Sequence, residues 1–156
     1  MTAAGRSRGW SQVARGDEGS AVVEFLGVTL VLLVPLVYLV LVLGRVEAAT
    51  FAVEGAAREA ARAYVRADSA DEGAARALAA VGVALRDQGF VDDPADALTI
   101  TCSKDPCLTP GGNVEAQVLI VVPLPFVPSF VRDAVPLEIP VSATRAAAVD
   151  EYRAVR

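Results

Sequence analysis

An α+β fold, with a small antiparallel sheet packed on two helices of which the first is unusually long, is what this sequence predicts. Three observations predict it. Residues 25–43 form an apolar run without a charge, and an apolar repeat at three and four residues continues beyond it to Tyr64. A Ser-x-x-Glu capping pattern at Ser69 opens a second such repeat. From Leu98 onward the period changes to two in three short segments, the mark of half-buried strands.

The first element starts as a membrane anchor. Nineteen residues at a helical rise of about 1.5 Å reach about 28 Å, the thickness of a hydrocarbon core. Pro35 would break a soluble helix but is tolerated in a membrane one, with at most a kink. A buried core helix of a soluble domain is disfavoured, because core helices of this length rarely lack a polar face. At the head of the run stands Gly19-Ser20-Ala21-Val22-Val23-Glu24-Phe25, where an acid follows a small-residue junction. A carboxylate at the centre of a membrane helix costs about 2.5 to 3.5 kcal/mol, and less towards its end, so Glu24 needs a role or a partner.

Past the run, Val46, Ala49, Val53, Ala56, Ala57, Ala60 and Tyr64 keep one face apolar, while Glu47, Glu54, Arg58, Glu59, Arg62 and Arg66 occupy the rest. Glu54 and Arg58 form an i, i+4 pair in the favourable order. One helix from about residue 21 to residue 65 is expected, with Gly44 and Gly55 as its weak points. The second helix follows the cap Ser69-Ala70-Asp71-Glu72, buries Ala74, Ala77, Leu78, Val81 and Leu85, and ends at Arg86 and Gly89.

The strands are expected at 98–102, 114–118 and 137–142, with Pro110-Gly111-Gly112-Asn113 turning between the first two and Pro140 at an edge or a strand start. Residues 121–131 are too apolar for a solvated loop, and their three prolines oppose a central strand. Two readings of this segment stand: Phe126 and Phe130 close the small core, or the loop contacts a membrane or a partner.

Composition narrows the chemistry. The chain has 156 residues, 14 Lys and Arg against 19 Asp and Glu, and no His. About 110 residues follow the span, enough for one small domain. The absence of His removes the commonest general base and metal ligand together with Ser-His-Asp and Cys-His arrangements. No basic cluster with interleaved aromatics appears, which disfavours nucleic acid as a partner. Asp92, Asp93 and Asp96 lack the spaced oxygen ligands of a calcium loop and read better as a turn entering the first strand. No catalytic residue, cofactor or metal ligand is therefore assigned, and the chain is not expected to be an enzyme.

Cys102 and Cys107 fall short of a zinc set and are not spaced as a Cys-x-x-Cys redox pair, so a local disulfide is preferred over two free thiols. So short a loop gives about 2 kcal/mol by chain entropy, and the bond places its segment outside the reducing cytosol. Arg6, Arg8 and Arg15 before the span are balanced by Arg45, Arg58 and Arg62 after it, so the cysteines decide the orientation: N-terminus cytoplasmic, C-terminal domain outside.

Gly19-Ser20-Ala21-Val22-Val23-Glu24-Phe25, Leu32-Leu33-Val34-Pro35, Arg45-Val46-Glu47 and Gly55-Ala56-Ala57-Arg58-Glu59-Ala60-Ala61-Arg62, in this order, resemble the TadE-like pseudopilin family. The likeness covers residues 15–66 closely and the rest in outline. Members are minor, pilin-like membrane proteins of tight-adherence, Flp-type pilus assembly systems. The resemblance implies a pilin-like fold and a prepilin peptidase that cuts between Gly19 and Ser20, leaving Glu24 at the fifth mature position. It implies a 1–19 cytoplasmic leader, a 20–44 transmembrane helix and a 45–156 extracytoplasmic domain in the cytoplasmic membrane. It further implies as partners other pilin-like subunits, the inner-membrane assembly platform and membrane lipid, with Glu24 and Phe25 as the assembly determinant. Arg58, Glu59 and Arg62 match a family pattern without a stated role, and a solvated helix face with local ion pairs is the alternative. Two other classes compete: a secreted protein cut near Ala48, against which the run exceeds the roughly 7 to 15 residues of a signal core, and an uncleaved bitopic protein with a binding ectodomain.

Overall fold

A computed structural model describes residues 18–125, 127 and 138–153. Six elements follow one another: α1 (Glu18–Val65), α2 (Ala70–Asp87), α3 (Pro94–Ala97), β1 (Leu98–Cys102), β2 (Asn113–Pro123) and β3 (Glu138–Ala148). The fold is α+β, with a long N-terminal helix, a second helix and a three-stranded antiparallel sheet, as the periodicities predict. The chain divides into two compact units, Met1–Val40 and Leu41–Arg156.

In the first unit the described residues are all α-helical, and Pro35 does not interrupt them. Apart from half-buried Tyr38, its large apolar side chains from Val22 to Val40 expose between 49% (Leu33, Val37) and 72% (Val31) of their surface. A core helix of a soluble domain would hide a face, and this one hides none.

The second unit is built on the remainder of α1. Gly44 and Gly55 lie inside the helix without breaking it. Ala49, Ala52, Val53, Ala56, Ala57, Ala60, Ala61 and Tyr64 form its buried stripe, recurring at three and four residues. Alanines dominate, and their small side chains permit close packing of neighbouring elements. The four residues 66–69 turn the chain back into α2. There Ser69 Oγ accepts from the Glu72 amide at 3.2 Å, the cap the sequence announces, while Glu72 Oε2 accepts from the amide of Asp68, one residue before the cap, at 2.9 Å and not from that of Ser69 itself.

The buried face of α2 is Gly73, Ala77, Val81, Gly82 and Leu85. Ala74, expected inside, is exposed, and Leu78 is half-buried. Gly73 takes the inward place because a β-carbon there would come within 3.1 to 3.2 Å of the Tyr64 ring and carbonyl oxygen. The acidic turn at 92–96 is a one-turn helix, α3, whose cap Asp93 accepts from the Ala95 amide at 2.9 Å.

The sheet order is β1-β2-β3. Central β2 alternates buried and exposed along its whole length, turning Val114, Ala116, Val118, Ile120 and Val122 to the core. Both β2 and β3 are longer than their alternation suggests. β2 runs five residues beyond Val118 to Pro123, so Val121, Val122 and Pro123 belong to the strand and not to a loop. β3 runs six residues beyond Ser142 to Ala148, paired with β2 from Glu138↔Pro123 to Ala148↔Asn113. Pro140 stands on edge strand β3, and Pro123 closes β2, so neither removes a hydrogen bond from the centre of the sheet. Phe126, Phe130 and Leu137 lie outside the described residues.

Candidate functional site

Gly19 and Ser20 lie at the beginning of the described part of α1. Ser20 and Glu24 are four residues apart, hence on one face about 6 Å apart along the axis. Glu24 and Phe25 are exposed, among the equally exposed Val22, Val23, Leu26 and Val28. A carboxylate so placed in an apolar sleeve can take a cation from a neighbouring chain or from an amine at the helix start. The helix holding these residues is long and apolar enough to cross a membrane, consistent with a single-pass membrane protein.

The second cluster lies on α1 within the α+β unit. Arg58, Glu59 and Arg62 are exposed, on the side opposite the alanine stripe. Arg62 and Glu59 approach to 3.8 Å with 58% of each side chain exposed, a loose and solvated pair. The expected Glu54–Arg58 pair is not formed; Glu54 instead meets Arg145 of β3 at 3.2 Å. A partner from another element competes successfully because Arg145 is on the inward face of its strand, opposite buried Ala116.

Cys102 and Cys107 form a disulfide with 5.2 Å between their α-carbons. It closes residues 103–106, the first part of the 103–112 loop, whose other ties are local. Asn113 donates its amide to Ser103 Oγ at 2.7 Å, Lys104 Nζ donates to the Pro110 carbonyl at 3.0 Å, and the Thr109 hydroxyl donates to the Pro106 carbonyl at 2.6 Å. Gly111 adopts φ +67°, which an L side chain resists.

Three arginines that local patterning does not single out tie the unit together. Arg45 donates to the Gly89 carbonyl at 3.1 Å and lies 4.1 Å from the centre of the Phe90 ring. Arg145 reaches Glu54. Arg153 donates to the carbonyls of Val65 (2.9 Å) and Ala67, satisfying oxygens left free at the end of α1. In the sequence, Arg45 belongs to the Arg45-Val46-Glu47 motif and to the charge balance around the apolar run, Arg145 stands out as an arginine in an alanine-rich stretch, and Arg153, among Asp150, Glu151 and Tyr152, carries no local signal. At the same end of α1, burial pushes the Tyr64 hydroxyl above the usual tyrosine range, and the charge of Asp71 adds to the effect.

The features in hand are an exposed apolar helical stretch with Glu24 near its start and, in the second unit, a disulfide-closed loop. Among the described residues, no group of three or more Cys, Asp or Glu side chains converges as a metal site would. Compared with known protein families, with curated proteins and with solved structures, the chain matches none of them.

Proposed function

We propose that this protein is a minor, pilin-like membrane subunit of the TadE-like type, which assists the assembly or anchoring of a tight-adherence pilus or a related secretion apparatus. One observation carries the reading. α1 is a single helix whose first part is an exposed apolar rod headed by Glu24 and whose last part is the alanine-lined core of an α+β domain. A subunit that assembles laterally in a membrane needs both: a helix free to pack on other helices and a folded domain that stays outside.

In this reading a prepilin peptidase removes residues 1–19, with Arg6, Arg8 and Arg15 in the cytoplasm, and Ser20 becomes the new N-terminus. Its amine then lies one helical turn from Glu24, close enough to be compensated by that acid or by the Glu24 of a neighbour. The disulfide supports an extracytoplasmic C-terminal domain. Partners are other pilin-like helices and the inner-membrane assembly platform, and the activity is assembly and not catalysis.

The test is the N-terminal sequence and intact mass of membrane-extracted protein from cells with and without their prepilin peptidase. A peptidase-dependent start at Ser20 is expected. A start near Ala48 in soluble material would make it a secreted protein, and an uncut chain in both strains would leave a plain bitopic anchor.

A further inference from the structure

We infer that α1 pairs in parallel with the α1 of a second copy of this chain, along a seam through Gly44, Phe51 and Gly55 and with Arg58 of each copy facing Glu59 of the other. All of these residues belong to the second unit, and the parallel order rests on the reading of the chain as a single-pass membrane protein.

Two glycines give the first reason. Gly44 and Gly55 lie in the interior of a helix, where glycine costs stability relative to alanine. The fold of the chain itself requires neither: a β-carbon at either position would meet nothing within 4 Å. Gly73 and Gly82 of α2 differ, since a β-carbon there would come to 3.1 Å from Tyr64 or from Pro94. Room kept open on the outside of a helix lets another helix approach closely.

Spacing gives the second reason. Gly44, Ala48, Phe51, Gly55, Arg58 and Arg62 follow one another at intervals of four, three, four, three and four residues, the two seam positions of a heptad. Phe51, with 69% of its surface exposed, is the bulky apolar member of the row. In a parallel pair such a side chain enters a hole bounded by the residues three before and four after its equivalent in the other helix, here Ala48 and Gly55. Knob and hole thus share one seam, at offsets that let two identical helices at equal height fill each other. Gly27 keeps the same step, four heptads before Gly55 in the sequence.

Charge favours a second copy as the occupant. Among the described residues Arg58 has no hydrogen bond or ion pair, and Glu54, the acid one turn before it, is held by Arg145. Glu59 has only its loose contact with Arg62, at 3.8 Å. In a parallel heptad pair the residue after Arg58 borders the hole that receives the Arg58 of the other helix. Each Glu59 therefore faces the arginine that its own chain leaves without an acid, and the exchange occurs twice by symmetry. Arg62 would stand opposite its equivalent, so the seam ends there.

Cysteine cross-linking of the full chain in isolated native membranes tests this; the native cysteines, joined to each other, do not react. Arg62→Cys, at the end of the seam, is compared under mild copper-phenanthroline oxidation with Thr50→Cys and Arg76→Cys, which are exposed and off it. Dimer yield at position 62 should exceed that at positions 50 and 76 several-fold. Gly55→Leu, added to Arg62→Cys, fills a space that the fold of the chain leaves empty. It should lower the yield several-fold while the urea midpoint of the detergent-solubilised chain holds or rises. A yield at position 62 no higher than at 50 and 76, or one that Gly55→Leu leaves unchanged, overturns the pairing while the membrane anchor stands. If alkaline carbonate strips the chain from the membranes, the single-pass reading fails and the parallel order with it.

Discussion

The guanidinium of Arg145 meets the carboxylate of Glu54 at 3.2 Å and so joins edge strand β3 to α1. Arg145 occupies an inward position between Ala143 and Ala147, where an apolar residue is the rule. Its stem covers the edge of the core and its charged head emerges beside the helix. Since 39% of the Arg145 and 42% of the Glu54 side chain remain exposed, solvent screens the pair, and its contribution is under about 1 kcal/mol. A double-mutant cycle with Glu54→Gln and Arg145→Met, followed by urea denaturation, should give a coupling of about 0.5 kcal/mol that shrinks with salt. A coupling indistinguishable from zero at low salt would show the contact to be incidental.

Arg153 contributes more. Its guanidinium is part-buried and holds two carbonyls at the end of α1 that no helical amide can reach. Hydrogen bonds to a charged group are each stronger than neutral ones, so Arg153→Ala should cost about 2 kcal/mol. Hydrogen exchange should accelerate first in the last turn of α1 and at the start of α2. Unchanged protection there in the variant would remove Arg153 from the cap.

Which of these features could be read in advance depends on how far apart their partners are. The start of α2 was legible because Ser69 and Glu72 cap it within a few residues. The apolar half of α1 was legible because a bilayer demands an uninterrupted run, and the Cys102–Cys107 pair because its loop is short. The lengths of β2 and β3 were not. Val121-Val122-Pro123 loses alternation of type, and Ala143 to Ala148 is rich in a residue depleted from strands; each segment is extended because the other pairs with it. Arg45, Arg145 and Arg153 find their partners 44, 91 and 86 to 88 residues away, a separation that local periodicity does not encode. The partner of Glu54 was equally hidden: the sequence places Arg58 one turn away, and the structure pairs Glu54 with Arg145 of the sheet.

Tyr64 gives the domain an alkaline limit. Burial favours its neutral form, with the charge of Asp71 acting in the same direction, so its folded pKa is raised above the unfolded value of about 10. Between the two values the folded state holds a proton that the unfolded state has lost, and stability falls as pH rises. The contribution is complete below about pH 10 and disappears as pH passes through the raised value. Urea midpoints measured from neutral to strongly alkaline pH should decline less for Tyr64→Phe than for the unaltered chain. Parallel declines would assign the alkaline loss to other groups.

Glu24 separates insertion from assembly. An acid in an apolar helix opposes entry into lipid by up to about 3 kcal/mol at the centre and by less near the end, where Glu24 stands. Glu24→Ala removes that penalty, so membrane association, measured by resistance to alkaline carbonate extraction, should be preserved or improved. The same change removes the charge proposed to compensate the Ser20 amine, its own or a neighbour's. Pilus assembly, measured as subunit released by shearing, should therefore fall while membrane-bound protein does not. Glu24→Asp keeps the charge on a shorter arm and should retain part of the assembly that Glu24→Ala loses. Normal pili on Glu24→Ala cells would refute charge pairing at the helix head, whatever the membrane fraction shows.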